Sequence, residues 1–248
     1  MTSLVLQSMS RGSVAYLLLA LFGVGLSAVL WDSLSRVDRG RGGGQAQSGS
    51  MLLIYGAALV GGMLGAKAAF LIAEGWMCAD DWMALLTGKS VTGALLGGYL
   101  AVEIAKHALG VTRVTGDRFA VLVPASIGLG RIGCCMAGCC AGVSCDDAWY
   151  AWHDADGHAH LPTQAVEAAF NFLFAAWAWI AFRRRWLEGN CFHLYLIIAG
   201  AVRFGLEFVR ERECILGPFG GYHFFALALV ALGLCRWRRA PTTGDCVD

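Results

Sequence analysis

The stretch RIGCCMAGCC, Arg131–Cys140, sets one guanidinium and four thiols into a run otherwise made of Ile, Gly, Met and Ala. A guanidinium is always charged, and its planar fork of donors matches a phosphate or a carboxylate. Two more cations, Lys67 and Arg203, stand in equally apolar surroundings. A charge at the centre of a membrane helix costs at least ~2.5 kcal/mol on insertion scales, so each demands a functional reason. Glu207 follows Arg203 by four residues, on the same helix face, where it can serve as a structural counter-ion. No acid inside the apolar runs balances Arg131 or Lys67, Glu103 and Glu167 lying only near run ends. Two excess cations are most simply explained by an anionic ligand, and a lipid phosphate has the right chemistry.

The cysteines run C-C-x-x-x-C-C, with Cys145 five residues later. This is not the doubled C-x-x-C of a zinc site, so no metal and no cofactor are expected. Packing is the first reading of these thiols, with a disulfide among Cys139, Cys140 and Cys145 the alternative in an oxidising compartment. HDADGHAH, His153–His160, holds three His and two Asp in eight residues. It reads first as a solvated polar loop, with divalent-metal binding or supply of a catalytic base as the alternatives.

These groups need rigid elements to hold them. Of the 248 residues 57% are hydrophobic and 15% charged, against about a quarter charged in a soluble domain. The apolar residues cluster into seven runs, about Ser13–Trp31, Met51–Ala73, Val91–Lys106, Phe119–Ala137, Ala165–Phe182, Cys191–Val209 and Phe219–Cys235. Each approaches the ~20 residues a helix needs to cross the hydrocarbon, where open sheet edges cannot exist. The expected fold is an all-α polytopic membrane protein with about seven transmembrane helices. Residues 1–248 form a single integral membrane domain, with a flexible loop over 32–50 and an outer loop over 142–164. The first run lacks a small-residue cleavage site and reads as an anchor. Trp76, Trp82, Trp149 and Trp152 read as interfacial anchors. A net charge of +1 leaves no basic face for nucleic acid.

Orientation follows from the cations. Lys and Arg number 4 over the N-terminus and the loops after runs two, four and six, and 12 over the other loops and the C-terminal tail. This positive-inside bias puts the N-terminus outside and the C-terminus inside. Arg131 follows Arg118 by thirteen residues, or ~20 Å along a helix. By the same reasoning Lys67, Arg131 and Arg203 all fall in the outer half of the bilayer.

Five segments in order resemble the bacterial prolipoprotein diacylglyceryl transferases, across Gly56 to Leu234. GLGRIGCCMAGCCAG, Gly128–Gly142, is similar to the family signature G-R-I-G-C-F-x-N-G-C-C-x-G. GKSVTGALLGG, Gly88–Gly98, is similar to S-x-H-G-G-L-x-G, and GDRFAVLVPASIGLG gives an altered D-x-x-A-P approach to the signature. LPTQAVEA resembles H-P-T-Q-L-Y-E-A, and AGAVRFGLEFVR resembles Y-G-x-x-R-F-x-x-E-x-x-R. The resemblance implies transfer of diacylglycerol from phosphatidylglycerol to the lipobox cysteine of a preprolipoprotein, giving a thioether and glycerol phosphate. It implies work at the outer face of the bacterial inner membrane, with membrane lipid and the lipobox peptide as partners. By position, Arg131 and Arg203 match essential arginines that hold phosphate and stabilise the leaving group, and Glu207 and Thr92 join them as catalytic candidates. Tyr16, Lys67, Gly133, Gly138, Gly142, Gln164 and Glu167 are the substrate-binding candidates, Lys67 standing where the family has Arg.

The departures fall on chemistry. The motif His is Thr92, the Tyr before G-x-x-R-F is Ala199, the signature Asn is Ala137, and the His before P-T-Q is Leu161 with His160 one place earlier. An attacking thiol must lose its proton, and a threonine is no base at neutral pH. The proton then goes to a loop histidine, or the cations lower the substrate thiol's pKa unaided. Two other readings stay open: a paralogue passing a lipid-derived group to another acceptor, and a non-catalytic lipid- or metal-binding membrane protein.

Overall fold

The computed structural model describes residues 22–23, 25–27, 29–37, 48–77, 80, 82–112, 114–154, 156–210 and 218–237. Tyr16 and most of the first apolar run lie outside the described residues. The described residues 22–37 are helical. After them come α1 (Ser48–Phe70), continued by a π-type turn over Leu71–Gly75, α2 (Trp82–Thr87), α3 (Val91–Ala108) and α4 (Gly116–Ala137). The two-residue strands β1 (Trp152–His153) and β2 (Ala159–His160) follow, then α5 (Thr163–Arg184), α6 (Cys191–Glu207) and α7 (Gly221–Trp237).

Each of the six apolar runs after the first coincides with a helix. Three helical stretches, Gly49–Gly75, Gly116–Ala137 and Thr163–Arg184, are long and apolar enough to cross a membrane, and α7 is a shorter apolar helix. Only 22% of the most apolar 18-residue window within Gly49–Gly75 is buried inside the protein, and Leu52, Leu53, Leu59, Met63 and Leu64 are exposed, as suits a lipid-facing helix. Helix ends follow from local chemistry. Ser90 starts α3 from an extended backbone, its Oγ accepting the Gly93 N–H at 3.4 Å. α5 ends where Arg185 turns left-handed at φ 59° and returns its N–H to the Ala181 carbonyl.

The chain groups into two compact units. The first holds the described residues between 22 and 37, those of 117–188, and residues 209–210; α4 and α5 are its long elements. Phe172 of α5 fills the space beside Gly128 of α4, where a Cβ would lie 3.0 Å from the ring. The segment after α4 is stitched down by backbone bonds: Gly142 N–H to Leu161 O at 2.8 Å, Val143 N–H to Val209 O at 2.8 Å, and Leu161 N–H to Val143 O at 3.1 Å. β1 and β2 pair antiparallel, Trp152 opposite His160.

The second unit holds α1, α3, α6 and α7. α1 and α3 meet through glycines: Gly61 and Gly65 on one face Gly93 and Gly97 on the other, so close that a Cβ on Gly97 would lie 2.7 Å from the Gly65 Cα. Small residues every fourth position allow this backbone approach, the principal device for joining helices in lipid. α6 and α7 repeat it, Gly200 lying against the Ala226 carbonyl and Gly233 against the His193 carbonyl. Arg236 Nε donates to the Tyr99 hydroxyl at 2.7 Å and pairs with Glu103, while Tyr99 also bonds His193 at 3.2 Å. Glu103 therefore ties α3 to α7.

Candidate functional site

In the first unit three charged side chains meet out of water. Arg131, on α4, pairs with Glu167 of α5, and Arg210, just past α6, donates from Nη2 to the other carboxylate oxygen at 3.3 Å. The side chains are 6%, 7% and 3% exposed, so the attraction acts at low local dielectric. Two guanidinia thus share one carboxylate. The expectation that no acid balances Arg131 is corrected here. α5 begins at Thr163, which places Glu167 a full turn inside the helix, on a buried face with Gln164 and Asn171. Asn171 Nδ2 donates back to the Glu167 carbonyl at 2.7 Å and steadies that face.

Gln164 is 0% exposed, and neither its Oε1 nor its Nε2 has a hydrogen-bond partner among the described residues. Leaving both ends of a buried amide unpaired costs on the order of 1–3 kcal/mol per group, unless a ligand or water supplies the missing bonds. One helical turn separates it from Glu167, on the same face. Gly142 supports this site by its size: a Cβ there would lie 2.7 Å from the Val209 carbonyl and 2.9 Å from Leu161 and Thr163. Gly133 is buried within α4, two residues past Arg131. Gly138 turns the chain at the end of α4 with φ 70°, its nearest neighbour the Trp152 ring.

The second unit carries the remaining candidates. Arg203 Nη2 lies 2.8 Å from Glu207 Oε2, one turn along α6, and its guanidinium stands 5.8 Å over the Tyr222 ring. Tyr222 donates its hydroxyl proton to Glu74 Oε2 at 3.1 Å, in the π-type turn. Such turns concentrate at functional positions. Lys67 Nζ donates to the Gly88 carbonyl at 3.4 Å and lies 5.2 Å from the Phe70 ring centroid; among the described residues no carboxylate is within ion-pair reach of it. Thr92 is buried and shares a 2.8 Å hydrogen bond with the Ser90 hydroxyl. Its position is that of a helix-cap support.

The loop histidines are tied down. His153 Nε2 bonds Asp147 at 2.9 Å, His158 Nδ1 lies 3.4 Å from Asp154, and His160 bonds the Gly142 carbonyl through Nδ1 and Asp154 through Nε2. Asp154 organises this turn. It accepts the backbone N–H groups of His158 and Asp156, and these with the His160 and His158 rings hold its carboxyl down at about 2.

Two features escaped the sequence. The charge count places Arg210 in the loop after run six, although it is the last residue of the E-x-x-R ending of its motif. The thiols of Cys134, Cys139 and Cys140 converge, all three sulfurs lying within 4.8 Å of one another, which their linear spacing did not suggest.

The comparisons with known proteins point one way. The family model for prolipoprotein diacylglyceryl transferase matches residues 12–238. The chain is 30% identical over 242 residues to the phosphatidylglycerol–prolipoprotein diacylglyceryl transferase of Chromohalobacter salexigens, covering 91% of this chain and 88% of the relative. It is 30% identical over 224 residues to the enzyme of the same name from Vibrio parahaemolyticus, covering 85% and 81%. The Clostridium tetani enzyme is 29% identical over 190 residues, covering 71% and 75%.

Proposed function

The chain belongs to the prolipoprotein diacylglyceryl transferase family, and from that premise we propose that it moves diacylglycerol from phosphatidylglycerol to the lipobox cysteine of a preprolipoprotein. It is a membrane protein and a transferase of lipoprotein biosynthesis. The proposal extends to seven crossings of the bacterial inner membrane, the N-terminus outside and the chemistry at the outer face.

One observation carries the reading: two buried guanidinia on a single carboxylate, with an unpartnered buried amide one turn away. Arg131 and Arg210 supply fixed donors for a phosphodiester, and Glu167 holds both forks in place before the lipid arrives. The Gln164 amide supplies the further donor that a phosphate or glycerol oxygen needs. In the reaction the acceptor sulfur attacks the glycerol carbon bearing the phosphate ester. A carbon–sulfur bond forms, the carbon–oxygen bond breaks, and glycerol phosphate leaves with the electron pair. Negative charge grows on the departing oxygen, where preorganised cations lower the barrier most. Arg203, matched to the family's other arginine by its motif, is the candidate for the same electrostatic work, with Glu207 fixing its direction. Lys67 is a further substrate-binding candidate.

Thr92 is assigned no proton transfer. Thiol deprotonation is left to the positive field, which lowers a substrate thiol's pKa as a neighbouring cation does. The test is complementation of a bacterial strain depleted of its own diacylglyceryl transferase, paired with transfer from labelled phosphatidylglycerol to a lipobox peptide. Growth and a thioether-linked product are expected. A protein that inserts and binds phosphatidylglycerol but modifies no lipobox cysteine would overturn the assignment and leave the paralogue.

A further inference from the structure

The chain reverses sharply after α4. Gly138 and Cys140 both take left-handed backbone, at φ 70° and 65°, and the Cys139 N–H returns to the Cys134 carbonyl at 3.1 Å. Thr163 then pins the Cys140 carbonyl through its hydroxyl at 2.8 Å. A non-glycine residue in left-handed conformation needs such support. The effect is to fold Cys139 and Cys140 back onto Cys134 in the last turn of α4, with all three sulfurs within 4.8 Å of one another. All three are free thiols, and Cys135 and Cys145 do not join them.

We propose that Cys134, Cys139 and Cys140 form a three-thiolate site for a divalent d10 cation of the zinc class. Thiolate sulfur selects soft or borderline cations over magnesium and calcium. Thiolates bound at ~2.3 Å around a tetrahedral zinc ion sit ~3.8 Å apart, so rotamer adjustment within the present spacing closes the site. Three protein ligands leave a fourth position open, as in metal sites that accept an exogenous ligand. Charge favours a divalent over a monovalent ion. Three thiolates leave one negative charge on a divalent cation but two on Cu(I), and a single charge is the more fully balanced by neighbouring cations. Arg131, whose side chain meets the Cys134 thiol and lies near Cys140, and Arg210, which acts on Cys140, are placed to neutralise it. A site of this kind ties the signature turn to the arginine cluster. It does not depend on the transferase reading, because it concerns what the thiols bind.

The test uses the full chain purified in detergent without chelators. Zinc content is measured, and after metal removal the protein is titrated with Co(II), whose thiolate complexes show near-ultraviolet charge-transfer absorption. About one metal ion per chain is expected, with charge-transfer bands that zinc displaces. Cys134→Ser and Cys139→Ser should each weaken binding ~10-fold or more, while Cys135→Ser and Cys145→Ser leave it unchanged; size-exclusion profiles report whether each variant is folded. Absence of charge-transfer absorption in the reduced wild-type protein would overturn the proposal. So would equal binding by the Cys135→Ser and Cys134→Ser variants, or a disulfide joining Cys134 to Cys139 in protein freshly isolated without oxidant.

Discussion

Arg131 and Thr92 resemble each other in the sequence, both being motif positions in apolar helices, yet their surroundings give them opposite roles. Arg131 shares Glu167 with Arg210 out of water, so removing it deletes a cation that the proposed phosphate site relies on. Arg131→Ala should lower transfer ~100-fold or more while the protein still inserts, measured as turnover per folded chain. Arg131→Lys should recover little, since an ammonium is a point charge without a fork. Wild-type turnover in Arg131→Ala would make the arginine purely structural. Thr92, by contrast, spends its hydroxyl on Ser90. Thr92→Val should leave turnover within a few-fold and cost about 1 kcal/mol of stability through the lost bond. A large loss of turnover with unchanged melting would restore Thr92 to the chemistry.

At the scale of elements, the contact between α1 and α3 depends on four glycines rather than on large apolar side chains. Lipid tails solvate Leu as well as another helix does, so close backbone packing must supply the attraction. A side chain at Gly97 has no room against Gly65. Gly97→Leu should therefore force the helices apart and lower the thermal midpoint in detergent, by ~1–3 kcal/mol of overpacking strain or more. Gly56→Ala on the same α1, where a Cβ meets nothing within 4 Å, should leave the midpoint unchanged or raise it slightly. Equal behaviour of the two variants would show that the glycines do not make the contact.

For the whole molecule, the charge asymmetry makes a prediction that no single helix can. With 12 Lys and Arg on one set of loops and 4 on the other, a reporter fused after Asp248 should report the cytoplasm and one inserted at Asp156 the external side. Reversal of both results would move the arginine cluster to the wrong leaflet for a translocated acceptor. The family assignment would stand, and the outer-face chemistry would fall.

Much of this protein was legible in its sequence because membrane helices obey local rules. Hydropathy located α1, α3, α4, α5, α6 and α7 to within a few residues, since a buried backbone in lipid has to close its own hydrogen bonds. The motifs singled out Arg131, Gln164, Glu167, Arg203 and Glu207, and the i,i+4 spacing alone foretold the Arg203–Glu207 pair. What the sequence could not determine is which side chains meet across long separations. Glu167 lies far along the chain from Arg131 and Arg210 comes from beyond another helix, so linear inspection left Arg131 without a counter-ion and Arg210 without a role. The convergence of the thiols is illegible in the sequence for the same reason. C-C-x-x-x-C-C does not announce a cluster until two left-handed residues fold it back on the helix end. Periodicity and composition act over one or two turns, whereas a shared carboxylate and converging sulfurs are products of the tertiary path, which alone brings distant residues within bonding distance.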